Sequence, residues 1–352
     1  MKMHTEHTRQ HHTRQYHTRQ YHTKEGQMRD RLGSRRARLA GLAIIALAGL
    51  VVATSALAGG ARSTSCGTVT VNENAWAGST ANVYVVKYVL ENNLGCKVKV
   101  TNITEGQPNF QAMADGKIDV ILEDWQNLGS FPQYTKNGAL VKVGTNGITG
   151  IIGWYIPRYL LEQYPQFATW KGLKGKESIF KSPESGSQGM FLGGDPSYVQ
   201  KDRAIIKGLG LNFKHVVAGA EPAQVARWTQ LYKQKKPVIF YWYDPQYLNG
   251  SYDLVNVKLP PRTKSCQDDE KKGGDPKQYA CAYPPYPLDK IIGAKFAKSG
   301  SPAVGVIKRF SWTAKDQNSV AFLIGGKKMK PDKAAEQWVK ANQAKVNAWL
   351  GK

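Results

Sequence analysis

A chain of 352 residues with 41% hydrophobic side chains is long enough for one large core or two medium ones. It carries 49 Lys and Arg against 26 Asp and Glu, a net charge of +23. The first 62 residues hold 11 basic and 3 acidic residues; the remaining 38 and 23 leave +15, scattered as single lysines among Gly, Asp and aromatics. No Arg/Lys run forms a stripe that tracks phosphates, so the charge reads as solvated surface and argues against a nucleic-acid partner.

The chain begins with a polar repeat: HTRQ at 7, 12 and 17, then HTKE at 22. Residues 1–38 are expected to be a disordered basic tract leading into the n-region of a signal, with Met28 as an alternative start. An uncharged Ala/Leu-rich run over 39–58 ends Ala56-Leu57-Ala58. Basic flank, apolar run and A-x-A site describe a secretory signal cleaved near Ala58 and a periplasmic or cell-envelope location. The alternative is a retained anchor, since ~20 apolar residues span a bilayer.

From 66 onward, strand and helix signals alternate. Strands are predicted at 69–74, 97–103 and 118–122, with an amphipathic helix over 79–93, capped by Ser79 or Thr80, and a short one over 108–116. The pattern restarts with strands at 178–180, 215–217 and 237–242 and helices over 197–209 and 222–234. Such alternation predicts an α/β fold with parallel-type sheets flanked by helices. The segment 254–304 is rich in Pro and Gly and reads as irregular. Helices follow over 303–310, 314–324 and 331–350.

Four cysteines fall after the signal, and an even number in an exported chain suggests disulfides, with three pairings possible. Cys66 and Cys96 each precede an apolar strand; adjacent parallel strands would set them side by side. Cys266 and Cys281 bracket a Gly/Asp/Lys loop, so the pairs are taken as Cys66–Cys96 and Cys266–Cys281. Six of seven histidines lie in the N-terminal repeat, leaving His215, and no C-x-x-C is present. Neither a metal nor a cofactor is predicted. Without a nucleophile elbow, H-E-x-x-H helix or P-loop, the chain does not read as an enzyme.

Aromatic residues are the unusual feature. Trp76, Trp125, Trp154-Tyr155 and Tyr241-Trp242-Tyr243 each fall at or just after the C-terminal end of an apolar strand, the edge where open α/β sheets bind ligands. Packing in the core is the bland reading of any one of them. Together, Trp76, Trp125, Trp154, Tyr155, Trp242 and Tyr243 suit a cage for an alkylated cation, at ~0.5–2 kcal/mol per desolvated ring. An anionic far end would be held by backbone N–H groups of small-residue turns, at Gly78-Ser79 and near Gln188.

The words NENAWAGSTANVYVVKYVLE (72–91), LEDW (122–125), TGIIGWYIP (149–157) and PVIFYWYDPQYL (237–248), with Tyr283-Pro284-Pro285 and Phe310-Ser311-Trp312-Thr313, resemble glycine betaine/choline-type substrate-binding proteins of ABC importers. The likeness runs from about 66 to the C-terminus. It implies a two-lobed periplasmic-binding-protein (type II) fold with a hinge of two crossing strands: lobe I from 66–150 and 245–352, lobe II from 151–244. It implies a monomer that captures a small quaternary amine such as glycine betaine and delivers it to an ABC permease in the membrane. Trp125, Trp76, Trp154 or Tyr155, and Tyr243 or Trp242 match aromatic-box positions. One departure is the loop SGSQGMFLGG (185–194), where some betaine binders have a further tryptophan and this chain has Phe191. Competing readings are the same fold binding choline, carnitine, an amino acid or a polyamine, an exported enzyme, or a polyanion-binding adhesin.

Overall fold

The computed structural model describes residues 66–268 and 273–352; the N-terminal tract and the predicted signal lie outside them. Nine strands follow one another as β1 (Thr68–Asn72), β2 (Lys97–Thr101), β3 (Val120–Asp124), β4 (Leu140–Pro157), β5 (Gly189–Gly193), β6 (Phe213–Val217), β7 (Ile239–Asp244), β8 (Leu254–Val257) and β9 (Tyr286–Gly293). Their order in space is β2-β1-β3-β9-β4-β7-β5-β6, with β8 beside β4. Two parallel sets, β2-β1-β3 and β6-β5-β7, are joined through antiparallel β9 and β4. The 18-residue β4 runs through both halves: residues 140–150 pair with β9, 151–155 with β7 and 154–157 with β8.

Helices of eight or more residues pack around the strands: α1 (Ala77–Leu94), α2 (Gln107–Ala114), α3 (Asp202–Leu209), α4 (Glu221–Lys233), α5 (Pro302–Arg309), α6 (Ala314–Ala321), α7 (Pro331–Ala341) and α8 (Gln343–Leu350). The core helix α1 buries Ala81, Val83, Val85, Val86, Val89 and Leu90, each large side chain worth roughly 1.5–3 kcal/mol of transfer free energy. It stops where Gly95 turns left-handed (φ 67°) and returns its N–H to Leu90. Among the described residues, no helix is long and apolar enough to cross a membrane.

Both expected cysteine pairs form, with Cα atoms 4.8 Å apart at Cys66–Cys96 and 6.3 Å at Cys266–Cys281. The first pair follows from register, since Thr68 lies opposite Lys97 and the residues just before each strand become neighbours. Beside the second, the buried Lys201 ammonium bonds Asp268 at 2.8 Å and the carbonyl of Gln267 at 3.2 Å.

Several expectations are corrected. Residues 177–180 form a 3-10 turn, and the strand of this region is β5, within the stretch read as a glycine-rich loop. Its glycines serve close packing: a Cβ on Gly189 would meet the Glu177 carbonyl at 2.3 Å, and one on Gly193 the His215 ring at 2.3 Å. The helix expected from 197 starts at Asp202. The segment 254–304 holds β8 and β9, because strand pairing overrides its Pro-rich composition. The terminal helix breaks at Asn342 (φ −129°). β8 takes the edge of β4 opposite β7, and the chain next pairs with the first strand set at β9.

Candidate ligand-binding site

Four aromatic residues stand at the carboxyl ends of two pairs of parallel strands, β1 with β3 and β5 with β7. Trp76 follows β1, Trp125 follows β3, Tyr198 follows β5, and Tyr243 closes β7. Their rings meet in series at right angles. Trp76 and Tyr198 centroids are 5.4 Å apart at 89°, Tyr198 and Tyr243 6.1 Å apart at 90°, and Tyr243 and Trp125 5.5 Å apart at 82°. Perpendicular neighbours of this kind are the walls of a box. Tyr241, Ile152, Val199 and Glu105 complete the lining of the same cavity.

Two buried carboxylates fix the walls from behind. Glu123 Oε1 accepts the indole N–H of Trp76 at 2.8 Å and that of Trp125 at 2.9 Å, and Asn82 donates to Oε2 at 2.6 Å. Glu221, the first residue of α4, accepts the phenol O–H of Tyr198 at 3.1 Å and that of Tyr243, both on Oε2. Its Oε1 takes Gln246 at 3.3 Å and the Ala77 amide at 3.4 Å, so the start of α1 in the first strand set touches a carboxylate of the second. Burial pushes Glu123 up to about 7, opposed by its indole donors; burial likewise raises Glu221. Two glycines make the arrangement possible. A Cβ on Gly150 would sit 2.2 Å from the Trp125 ring, and one on Gly78 would strike Gln317 at 2.3 Å beside Glu123.

Of the residues expected at the site, Trp76, Trp125 and Tyr243 line the cavity. Trp154 shares the Ile152 face of β4 but lies deeper, its ring tilted at 50° against Phe191 at 4.6 Å and its N–H on Asp202 at 2.7 Å. Trp242 and Tyr155 point the other way by strand alternation; Trp242 packs on Trp228 and donates to Asn249 at 2.7 Å, and Tyr155 joins that same cluster. Gly78 and Ser79 sit at the start of α1, where Ser79 Oγ accepts the Asn74 amide at 2.9 Å rather than capping the helix. Gln188 bonds Asn212 at 3.1 Å, away from the cavity. Tyr198, Glu105 and Glu221 were not anticipated. Tyr198 sits on the loop after β5, so the strand-end rule that singled out the others would have reached it had β5 been recognised.

Residues 67–341 match the family described as the substrate binding domain of the ABC-type glycine betaine transport system. The chain belongs to this family. Its members are solute-binding proteins of ABC transporters, not enzymes. A curated relative, the trimethylamine N-oxide-binding protein of Pelagibacter ubique, is 25% identical over 278 residues, covering 76% of this chain and 86% of the relative. Among solved structures, an ABC-transporter choline-binding protein in complex with choline superposes with a TM-score of 0.64 at 18% identity, over 82% of this chain and 92% of that one. Lactococcal OpuAC, closed on glycine betaine, gives 0.60 at 20% identity, over 80% and 99%. The glycine betaine/L-proline-binding protein of Borrelia burgdorferi gives 0.63 at 20% identity, over 80% and 96%. At these identities the solved structures establish the shared two-lobed binding-protein fold, a mixed α/β architecture flanked by helices.

Proposed function

We propose that the box of Trp76, Trp125, Tyr198 and Tyr243 binds a small trimethylated or otherwise quaternary amine, which the protein hands to an ABC permease for import. The observation that carries this reading is the series of four perpendicular rings, its two end tryptophans linked through Glu123, whose polar edges are occupied by Glu123 and Glu221. With N–H and O–H groups turned away to the carboxylates, the rings offer the cavity their π surfaces. Those attract a diffuse, poorly hydrated cation at ~0.5–2 kcal/mol per ring. The two carboxyl groups hold the rings from behind and do not themselves line the cavity.

A primary amine of an amino acid or polyamine needs several hydrogen-bond acceptors at its nitrogen. Glu105 is the sole carboxyl among the lining residues, and none of them is basic. That favours the quaternary class over the amino-acid and polyamine readings. The two strand sets would act as lobes, one holding Trp76 and Trp125 and the other Tyr198 and Tyr243, closing on the ligand as a monomer. The mature protein would be periplasmic or envelope-bound after cleavage near Ala58.

Thermal melting of the purified protein against glycine betaine, choline, carnitine, trimethylamine N-oxide, proline and putrescine tests this. A quaternary or trimethylated amine at 100 times its Kd should stabilise the fold by about 2.7 kcal/mol. Stabilisation by putrescine or proline alone would refute it.

A further inference from the structure

The start of α1, with its small residues Ala77-Gly78-Ser79, is the helix terminus nearest the box, but the Glu221 carboxylate already takes the Ala77 amide. That amide is occupied, and the lining itself offers a side chain for whatever the ligand carries opposite its alkylated nitrogen. Glu105 is the polar side chain left in the lining. It stands between β2 and α2, 8% exposed, beside Gly106 with φ 94°. The Asn127 side chain bonds its carboxyl, while Oε1 has no partner among the described residues. A buried carboxyl oxygen left without a partner costs on the order of 1–3 kcal/mol, a cost that a ligand atom would relieve.

The charged groups facing Glu105 are all acids: Asp124 and Glu123 from the end of β3 and Asp195 from the loop after β5; the other neighbouring ionisable group is the Tyr241 phenol. No basic side chain lines the cavity to stabilise a carboxylate. Burial, reinforced by Asp124 and Glu123, holds the Glu105 carboxyl well above the usual range. Both effects favour the protonated form of the carboxyl, the form able to donate.

We infer that Glu105 is the specificity-determining residue of this site: its buried carboxyl, which lines the cavity with Oε1 unpartnered, donates a hydrogen bond to the negatively charged oxygen of a trimethylated zwitterion, an N-oxide or a carboxylate, whose nitrogen lies in the aromatic box. This rests on the quaternary-amine reading above. It separates two ligand classes: a zwitterion supplies the acceptor that Glu105 lacks, and a plain tetraalkylammonium ion leaves the carboxyl unsatisfied.

The test is calorimetry of the full protein and of its Glu105→Ala and Glu105→Gln variants against three probes: tetramethylammonium, trimethylamine N-oxide and glycine betaine. Wild type should prefer at least one zwitterion. Glu105→Ala should weaken that zwitterion by roughly 10- to 100-fold and change tetramethylammonium by less than about threefold. Glu105→Gln keeps a donor and should hold within about tenfold of wild type. It should also lose the part of the pH dependence that weakens zwitterion binding in wild type as Glu105 ionises; the difference between the two profiles removes the contribution of Glu123. The N-oxide and betaine arms distinguish a short from a longer zwitterion. Equal losses for tetramethylammonium and the zwitterions in Glu105→Ala, or equal losses in the Ala and Gln variants, overturn the role of Glu105 while leaving the box intact. Failure of all three probes to bind wild type overturns the quaternary-amine reading and this one with it.

Discussion

The two halves of the box solve one problem with different chemistry. In the first strand set, Glu123 lies on β3 two residues before Trp125 and grips two indoles. In the second, Glu221 opens a helix and grips two phenols, Tyr198 and Tyr243. An indole N–H can only donate, so a carboxylate is the natural partner of both tryptophans. A phenol can donate or accept, so the tyrosine pair tolerates a change of partner more readily. The first wall is the rigid one; the second is adaptable and also carries the link across to Ala77.

The largest expected effect comes from removing a rigid wall. Trp125→Ala should cut affinity for the bound amine roughly 100-fold or more while the fold persists, measured by calorimetry alongside circular dichroism. Gly150→Ala, which drives a Cβ into the same ring, should reproduce much of that loss without touching an aromatic residue. Undiminished binding in both would break the comparison.

Smaller and more diagnostic is the pair Glu123→Gln and Tyr243→Phe. An amide keeps one acceptor for two indoles, so Glu123→Gln should cost about tenfold. Tyr243→Phe removes one hydrogen bond and keeps the ring, so it should cost about threefold to tenfold. The reverse order would place the rigid wall in the second half.

The pH dependence of stability sharpens the contrast further. The Glu123 carboxyl is raised from 4.5 to about 7 in the folded protein, so between those values the native state holds a proton that the unfolded chain releases. Its contribution is present below pH 4.5 and lost as pH rises through 7; the raised Glu221 acts in the same direction. The ligand-free protein should melt higher at pH 5.5 than at 7.5, and Glu123→Gln should flatten that slope more than Tyr243→Phe does. A slope unchanged in Glu123→Gln would reassign the titration.

The smallest effect on affinity is expected at Trp242, which lies on the far face of β7. Trp242→Phe removes its bond to Asn249 and should lower melting by an amount corresponding to about 1 kcal/mol while leaving ligand affinity unchanged in calorimetry.

Much of this was legible in the chain because it depends on local pattern. Alternation of apolar runs gave the parallel strands and their crossovers, and the placement of Cys66 and Cys96 before two such runs gave a bridge that register then produced. The aromatic cluster at strand ends pointed to Trp76, Trp125 and Tyr243. It also swept in Trp154, Tyr155 and Trp242, because a run such as Tyr241-Trp242-Tyr243 does not say which side chain faces the cavity; strand phase does. Tyr198 escaped because β5 begins and ends in glycines required by Glu177, Phe213 and His215, well outside the strand in sequence.

The sequence by itself determined the class of fold, the cysteine pairs and the π-rich edge, since each is written in spacing and residue type along a few dozen positions. Only tertiary structure decided which four rings stand at right angles and that Glu123 and Glu221 hold them from behind. It also left Glu105 with an oxygen unmatched. Those outcomes depend on contacts between segments far apart in the chain, where burial, not spacing, determines which polar groups find partners.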